Sequence, residues 1–161
     1  MNRELAKEII LSLVIVLSQL LIFNHINLFG TVDTFIYVSL FILYKTTYDK
    51  TYLILFGFLV GLIIDLSLQT YGAHTLASIT VCYLKERIEK YSFGVNSTLP
   101  LAMIRGTQLT NRVTYFFLII FLHSLIYFSL IFFKFEFTLT IFLYTLINSI
   151  INFIIIGIIS K

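Results

Sequence analysis

Residues 57–74 read GFLVGLIIDLSLQTYGAH. Up to Leu68 this is the composition of a helix dissolved in lipid, apart from one carboxylic acid, Asp65. Gly57, Gly61 and Asp65 recur every fourth position, so on a helix they share one face. Two glycines at that spacing remove side-chain bulk and let a neighbouring helix backbone approach closely. An aspartate at mid-helix costs about 2.5 to 3.5 kcal/mol on insertion scales, so the stripe is expected to face protein. Asp65 lies about 6 Å from the helix end near Gln69, at 1.5 Å per residue. Three roles suit it: a polar lock that ties this helix to the following turn, a contact for a ligand or partner, or a proton-relay carboxylate. His74 is the candidate partner for the lock, because a tight turn through Gly72 would bring the two apolar runs together antiparallel. An amide at position 65 would keep such a lock, since it still accepts and donates.

The rest of the chain has the same character. Of 161 residues, 59% are hydrophobic and 12% charged, with a mean hydropathy of +0.99. A soluble domain carries about 25% charged residues, so there is too little polar surface here to coat a globule. The composition is that of one integral membrane domain. Seventeen Phe and ten Tyr with no Trp leave Tyr as the interfacial aromatic. Tyr37, Tyr44, Tyr48, Tyr52, Tyr71, Tyr83 and Tyr91 sit near ends of apolar runs. The single cysteine, Cys82, excludes an internal disulfide and a Cys-based metal cage.

Polar punctuation divides the chain into six apolar runs, which predict membrane spans over about 9–29, 31–44, 52–68, 71–84, 113–133 and 137–159. The first resembles a signal peptide but has no small-x-small cleavage pattern, and is expected to be retained. Runs two and four are short for a helix that needs about 20 residues to cross, so each is also open to a re-entrant reading. Charge arbitrates. With six crossings and a cytoplasmic N-terminus, Arg3, Lys7, Lys45, Lys50, Lys85, Arg87, Lys90, Arg105, Arg112 and Lys161 are inside and Lys134 alone is outside. That ten-to-one split becomes eight to three if runs two and four dip and return. The positive-inside rule favours six spans with both termini cytoplasmic. Residues 85–112 are then an inner loop. It opens on KERIEK, a helix end expected to project into water, and holds the only proline, Pro100, in the patch LPLAMI.

Other polar groups lie within the runs. His123 is central in run five, with Tyr127 one turn on. Thr145, Asn148, Ser149 and Asn152 form a stripe in run six, and Ser12 and Gln19 mark one face of run one. His123 and Asn148 fall at similar depth and are expected to hydrogen-bond, with Asn152 as further interhelical glue. No nucleophile sits beside a base in a known motif, and there is no HExxH or phosphate-cradling glycine loop. Neither an enzyme nor a metal or cofactor site is expected, and nothing points to nucleic acid. A channel would need polar stripes on several helices; only run six has one.

The pattern GLIIDL, a short turn and GAHTLASITVCYLK, at the third and fourth of six runs, resembles the rod shape-determining protein MreD family. Leu28, Phe29 and Gly30 after the first run fit the same family. The specific part of the resemblance covers Gly57 to Lys85, and Gly57, Gly61, Asp65, Gly72 and His74 stand at its motif positions without a catalytic role. Run two lacks the proline found in many relatives. The resemblance implies an all-α polytopic protein of the bacterial cytoplasmic membrane, with a fold similar to the S components of energy-coupling-factor transporters. It implies a non-enzymatic scaffold of cell elongation and peptidoglycan synthesis. Its partner would be an MreC-like bitopic protein, and through it MreB, RodA and RodA's partner transpeptidase; a homodimer is left open. The alternative is an S component that binds a vitamin. Such proteins dock on their motor through an Ala-x-x-x-Ala stripe on the first helix, where this chain has only Ala6.

Overall fold

The computed structural model describes residues 3–28, 32–44, 49–94 and 107–159. Among them lie six α-helices: α1 (Arg3–Leu21), α2 (Val38–Leu43), α3 (Lys50–Leu68), α4 (Ala73–Phe93), α5 (Leu109–Phe132) and α6 (Thr138–Ile159). A 3₁₀ turn follows α1 at Phe23–His25, and another precedes α6 at Phe135–Phe137. Two two-residue strands, β1 (Asn27–Leu28) and β2 (Val32–Asp33), pair antiparallel with Asn27 opposite Asp33. They close a loop and form no layer, so the chain is an all-α polytopic membrane protein. Four segments are long and apolar enough to cross a membrane: Ala6–His25, Lys50–Leu68, Leu109–Phe132 and Phe135–Ile158. The expected contributions of Leu28–Gly30, Lys45, Tyr48, Arg105, Lys161 and the patch around Pro100 fall wholly or partly outside the described residues.

Consecutive long helices pack as neighbours, α3 on α4, α4 on α5 and α5 on α6. The α3–α4 contact is the tightest that the sequence foreshadows. A Cβ added to Gly61 would stand 2.5 Å from Thr75 Cα and 2.9 Å from His74 O, which is backbone on both counts. A Cβ on Gly57 would stand 2.6 Å from Cys82 Sγ. The glycine face is therefore occupied by α4, inside the bundle. Asp49 caps α3 by accepting the Thr51 N–H at 2.7 Å, and that bond holds its carboxyl below the usual carboxylate range. The helix closes on Gln69 and the turn runs through Tyr71 and Gly72, all three with left-handed backbone. At φ +94, Gly72 has open space around it and is required for its backbone conformation rather than for room.

Three runs differ from the spans predicted for them. In run one, predicted over about 9–29, the helix starts earlier and ends at Leu21, where the chain turns through Phe23–His25 into β1. Run two is not a continuous helix. It consists of β2, an extended and turning stretch, and the six-residue α2. It nevertheless passes from one end of the bundle to the other. Near its start, Asn24 lies 3.5 Å from Ser67 at the end of α3. Near its finish, Ile42 accepts the Tyr115 hydroxyl early in α5, and Lys50 then opens α3. At 3.3 Å per extended residue and 1.5 Å per helical one, residues 32–36 and α2 advance the chain roughly 25 Å, close to the ~28 Å of α3. Every residue from Thr34 to Ile42 is buried. Hydropathy alone makes this segment look like a short lipid-facing helix. It is the inner strand of the bundle, which is where non-helical backbone at membrane depth is tolerated.

Run four continues nine residues past its expected end, so Lys85–Phe93 is helix rather than loop. Within KERIEK, Glu86, Arg87 and Lys90 face out, but Lys85 and Glu89 are buried. The segment does not project wholly into water because its i, i+4 face packs under α5. At the opposite extreme, α1 is peripheral: of its described side chains, Ile15 and Gln19 are the buried ones.

Candidate functional site

Asp65 sits one turn before the end of α3 and faces the first turn of α4. One carboxylate oxygen accepts the Thr70 hydroxyl and the His74 backbone N–H, the latter at 3.0 Å. The other accepts the Thr75 N–H at 2.8 Å and the Thr75 hydroxyl at 2.5 Å. Helix α4 starts on Gly72, which has no side chain to cap it. A helix start leaves several N–H groups without partners, and here Asp65 supplies the missing cap from the preceding helix. An acid also suits the positive end of the helix dipole. His74 is thus a partner of Asp65, as the tight turn led one to expect, and it is its backbone N–H rather than its ring that the carboxylate binds.

The ring of His74 turns the other way, into the core. Its Nδ1 lies 2.9 Å from the Tyr37 hydroxyl, and His123 Nε2 lies 2.6 Å from the same oxygen. A phenol has one proton, so in the neutral network Tyr37 donates to one imidazole and accepts from the other. The expected His123–Asn148 bond is absent: Tyr37 takes His123 Nε2, while His123 Nδ1 and Asn148 Oδ1 are buried without hydrogen-bond partners. Asn148 instead approaches the neighbouring Ser124 at 3.4 Å. Phe35 lies edge-on to both histidines, with centroids 5.5 and 5.0 Å away, and Tyr127 lies over His74 at 4.5 Å. The Tyr127 hydroxyl reaches toward Asp33 at 3.4 Å.

Two amides hold the inner strand in place. Asn152 accepts the Phe35 N–H at 2.6 Å and donates to Asp33 O and Asn148 O, each at 2.9 Å. From the other side, Gln19 donates to Thr34 O at 2.7 Å and accepts the Tyr37 N–H at 3.3 Å. These are backbone groups that a regular helix would have satisfied internally. Lower in the bundle, Lys85 and Glu89 pair, and the Tyr115 hydroxyl contacts Glu89 at 3.3 Å and Ile42 O at 3.2 Å.

Of the residues singled out in the sequence, the structure brings Gly57, Gly61, Asp65, Gly72 and His74 together at the α3–α4 hairpin. It joins His74 to His123 through Tyr37. It places Asn148 and Asn152 on the face of α6 toward α5 and the inner strand. Tyr37 was read as an interfacial ring and is fully buried, whereas Tyr52, Tyr71, Tyr83 and Tyr91 are exposed. Thr70, Thr75 and Lys85 were missed as participants. The TxxxxT spacing that brackets the turn was the available signal for the two threonines. Among the described residues, no group of three His, Cys, Asp or Glu is placed to hold a metal ion. Chemically, the arrangement is a lattice of intramolecular hydrogen bonds that fixes helix register, although His74 Nε2, His123 Nδ1 and Asn148 Oδ1 are buried in it without partners. No family model matches the chain, and no curated protein or solved structure does.

Proposed function

We propose that the chain is a non-enzymatic membrane scaffold of the bacterial cell-elongation machinery, of the kind the MreD resemblance implies. One observation carries the reading. Asp65, His74, His123, Gln19 and Asn152 each bond another part of the same chain. Such a lattice stiffens a bundle whose outer faces are then available for other membrane proteins. The proposed setting is the cytoplasmic membrane, with both termini inside. The proposed partner is a single-span MreC-like protein held by helix packing within the bilayer, where small residues and shape govern association. MreB, RodA and its partner transpeptidase are reached through it.

Affinity purification in mild detergent followed by mass spectrometry tests this. Recovery of an MreC-like chain is the expected result, and recovery of an ATPase motor instead would assign the protein to vitamin transport. Depletion in the native cell is expected to make rods round up. Cells that keep their shape but lose uptake of one vitamin would overturn the scaffold reading.

A further inference from the structure

Residues of α5, α6 and the turn between them line a cleft of about 470 Å³. Sites for small molecules typically run to about 300–1,000 Å³. Leu125 and Ser129 line it from α5, one turn apart, and Phe133 from just past the helix end; Ile141 and Phe142 line it from α6; Lys134 stands in the connecting turn. Its hydroxyls are turned inward on their own helices. Ser129 donates to Leu125 O and Thr138 to Phe135 O, both at 2.6 Å. The walls therefore offer an occupant apolar surface and almost no hydrogen bonding. The exception is Lys134, exposed and without a partner, whereas the nearby Glu136 is not part of the lining. Phe133 and Phe135, 81% and 100% exposed, flank the lysine.

We propose that this cleft binds one anionic phospholipid, with an acyl chain between α5 and α6 and the phosphate on Lys134. The chemistry is set by the two halves of the cleft. An apolar slot continuous with the lipid-facing surface takes hydrocarbon, and a lone ammonium at its mouth selects a negative headgroup. A soluble anion would gain only the lysine, and a neutral lipid only the slot.

Because the chain has no Trp, a Phe142→Trp variant reports from the cleft alone. It is reconstituted with dibrominated phosphatidylglycerol or dibrominated phosphatidylcholine at equal mole fraction, and quenching is compared. A basic residue near an anionic surface contributes about 1 kcal/mol, so the Phe142→Trp chain is expected to show roughly fivefold preference for phosphatidylglycerol. Adding Lys134→Gln should bring the preference to unity. An Ile150→Trp chain, reporting from the exposed middle of α6, should show none. Ser129→Phe, which fills the slot, should reduce quenching by both lipids in the Phe142→Trp chain. Equal quenching by the two lipids there overturns the proposal, as does a preference that survives Lys134→Gln. Loss of the preference on adding millimolar inorganic phosphate also overturns it, because the site would then be one for a free anion.

Discussion

Both oxygens of Asp65 accept hydrogen bonds, and that changes what an amide does there. Asp65→Asn replaces one acceptor with an NH₂ group aimed at donors. An unsatisfied buried polar group costs about 1–3 kcal/mol, so Asp65→Asn is expected to melt measurably lower in detergent, and Asp65→Leu lower still. An Asn variant that melts like the parent would show that the cap is not a structural lock. The glycines rank by what they face. Overpacking costs about 1–3 kcal/mol; Gly61→Ala, which meets the backbone of Thr75 and His74, belongs at or above the top of that range. Gly57→Ala meets a thiol and belongs below it. Thermal unfolding of the two variants checks the order. The glycine stripe and Asp65 were legible because helical periodicity assigns residues to faces. That the acid would bind backbone amides was not, because a face does not specify which atoms lie across from it.

At the scale of elements, the inner strand depends on side chains from four helices, α1, α4, α5 and α6. Tyr37→Phe leaves a ring nitrogen of both His74 and His123 without its partner, and Asn152→Leu strands the Phe35 N–H and the Asp33 carbonyl. Each loss is expected to cost about 1–3 kcal/mol per orphaned group, so both variants should lower the melting temperature while α3–α4 stays intact. Proteolysis or hydrogen exchange confined to residues 33–43 would register the change. Loss of protection spread evenly over the molecule would mean that the strand is not a separate unit. The positions of α3, α5 and α6 were readable from run length to within a few residues. The broken crossing was not, because a buried extended segment and a lipid-exposed helix can share one apolar composition. What could have separated them was length: a run of fourteen residues is too short for a helix but long enough once part of it is extended.

For the molecule as a whole, four segments among the described residues are long and apolar enough to cross a membrane, and the six-passage topology that the charge distribution favours is open to test. A reporter fused after Lys161, or inserted near Asn96, is expected to be cytoplasmic, and one between Lys134 and Glu136 external. An external C-terminus would remove one passage. The membrane class followed from composition, because no arrangement of so few polar side chains could face water, and its helical character from the length of the apolar runs.

The inner strand also has a history imposed by the order of synthesis. The Phe35 N–H is held by Asn152, 117 positions later. At about 5–20 residues per second, the ribosome takes on the order of 6–23 seconds to make that partner. Until then, the Phe35 N–H and the Asp33 carbonyl lack the partner that Asn152 supplies, and unpaired backbone groups in hydrocarbon cost several kcal/mol each. The segment must wait at the membrane surface or in the insertion machinery and enter the bundle last. A chain ending at Phe132 should therefore leave a Ser39→Cys thiol open to maleimide, and the full chain should protect it.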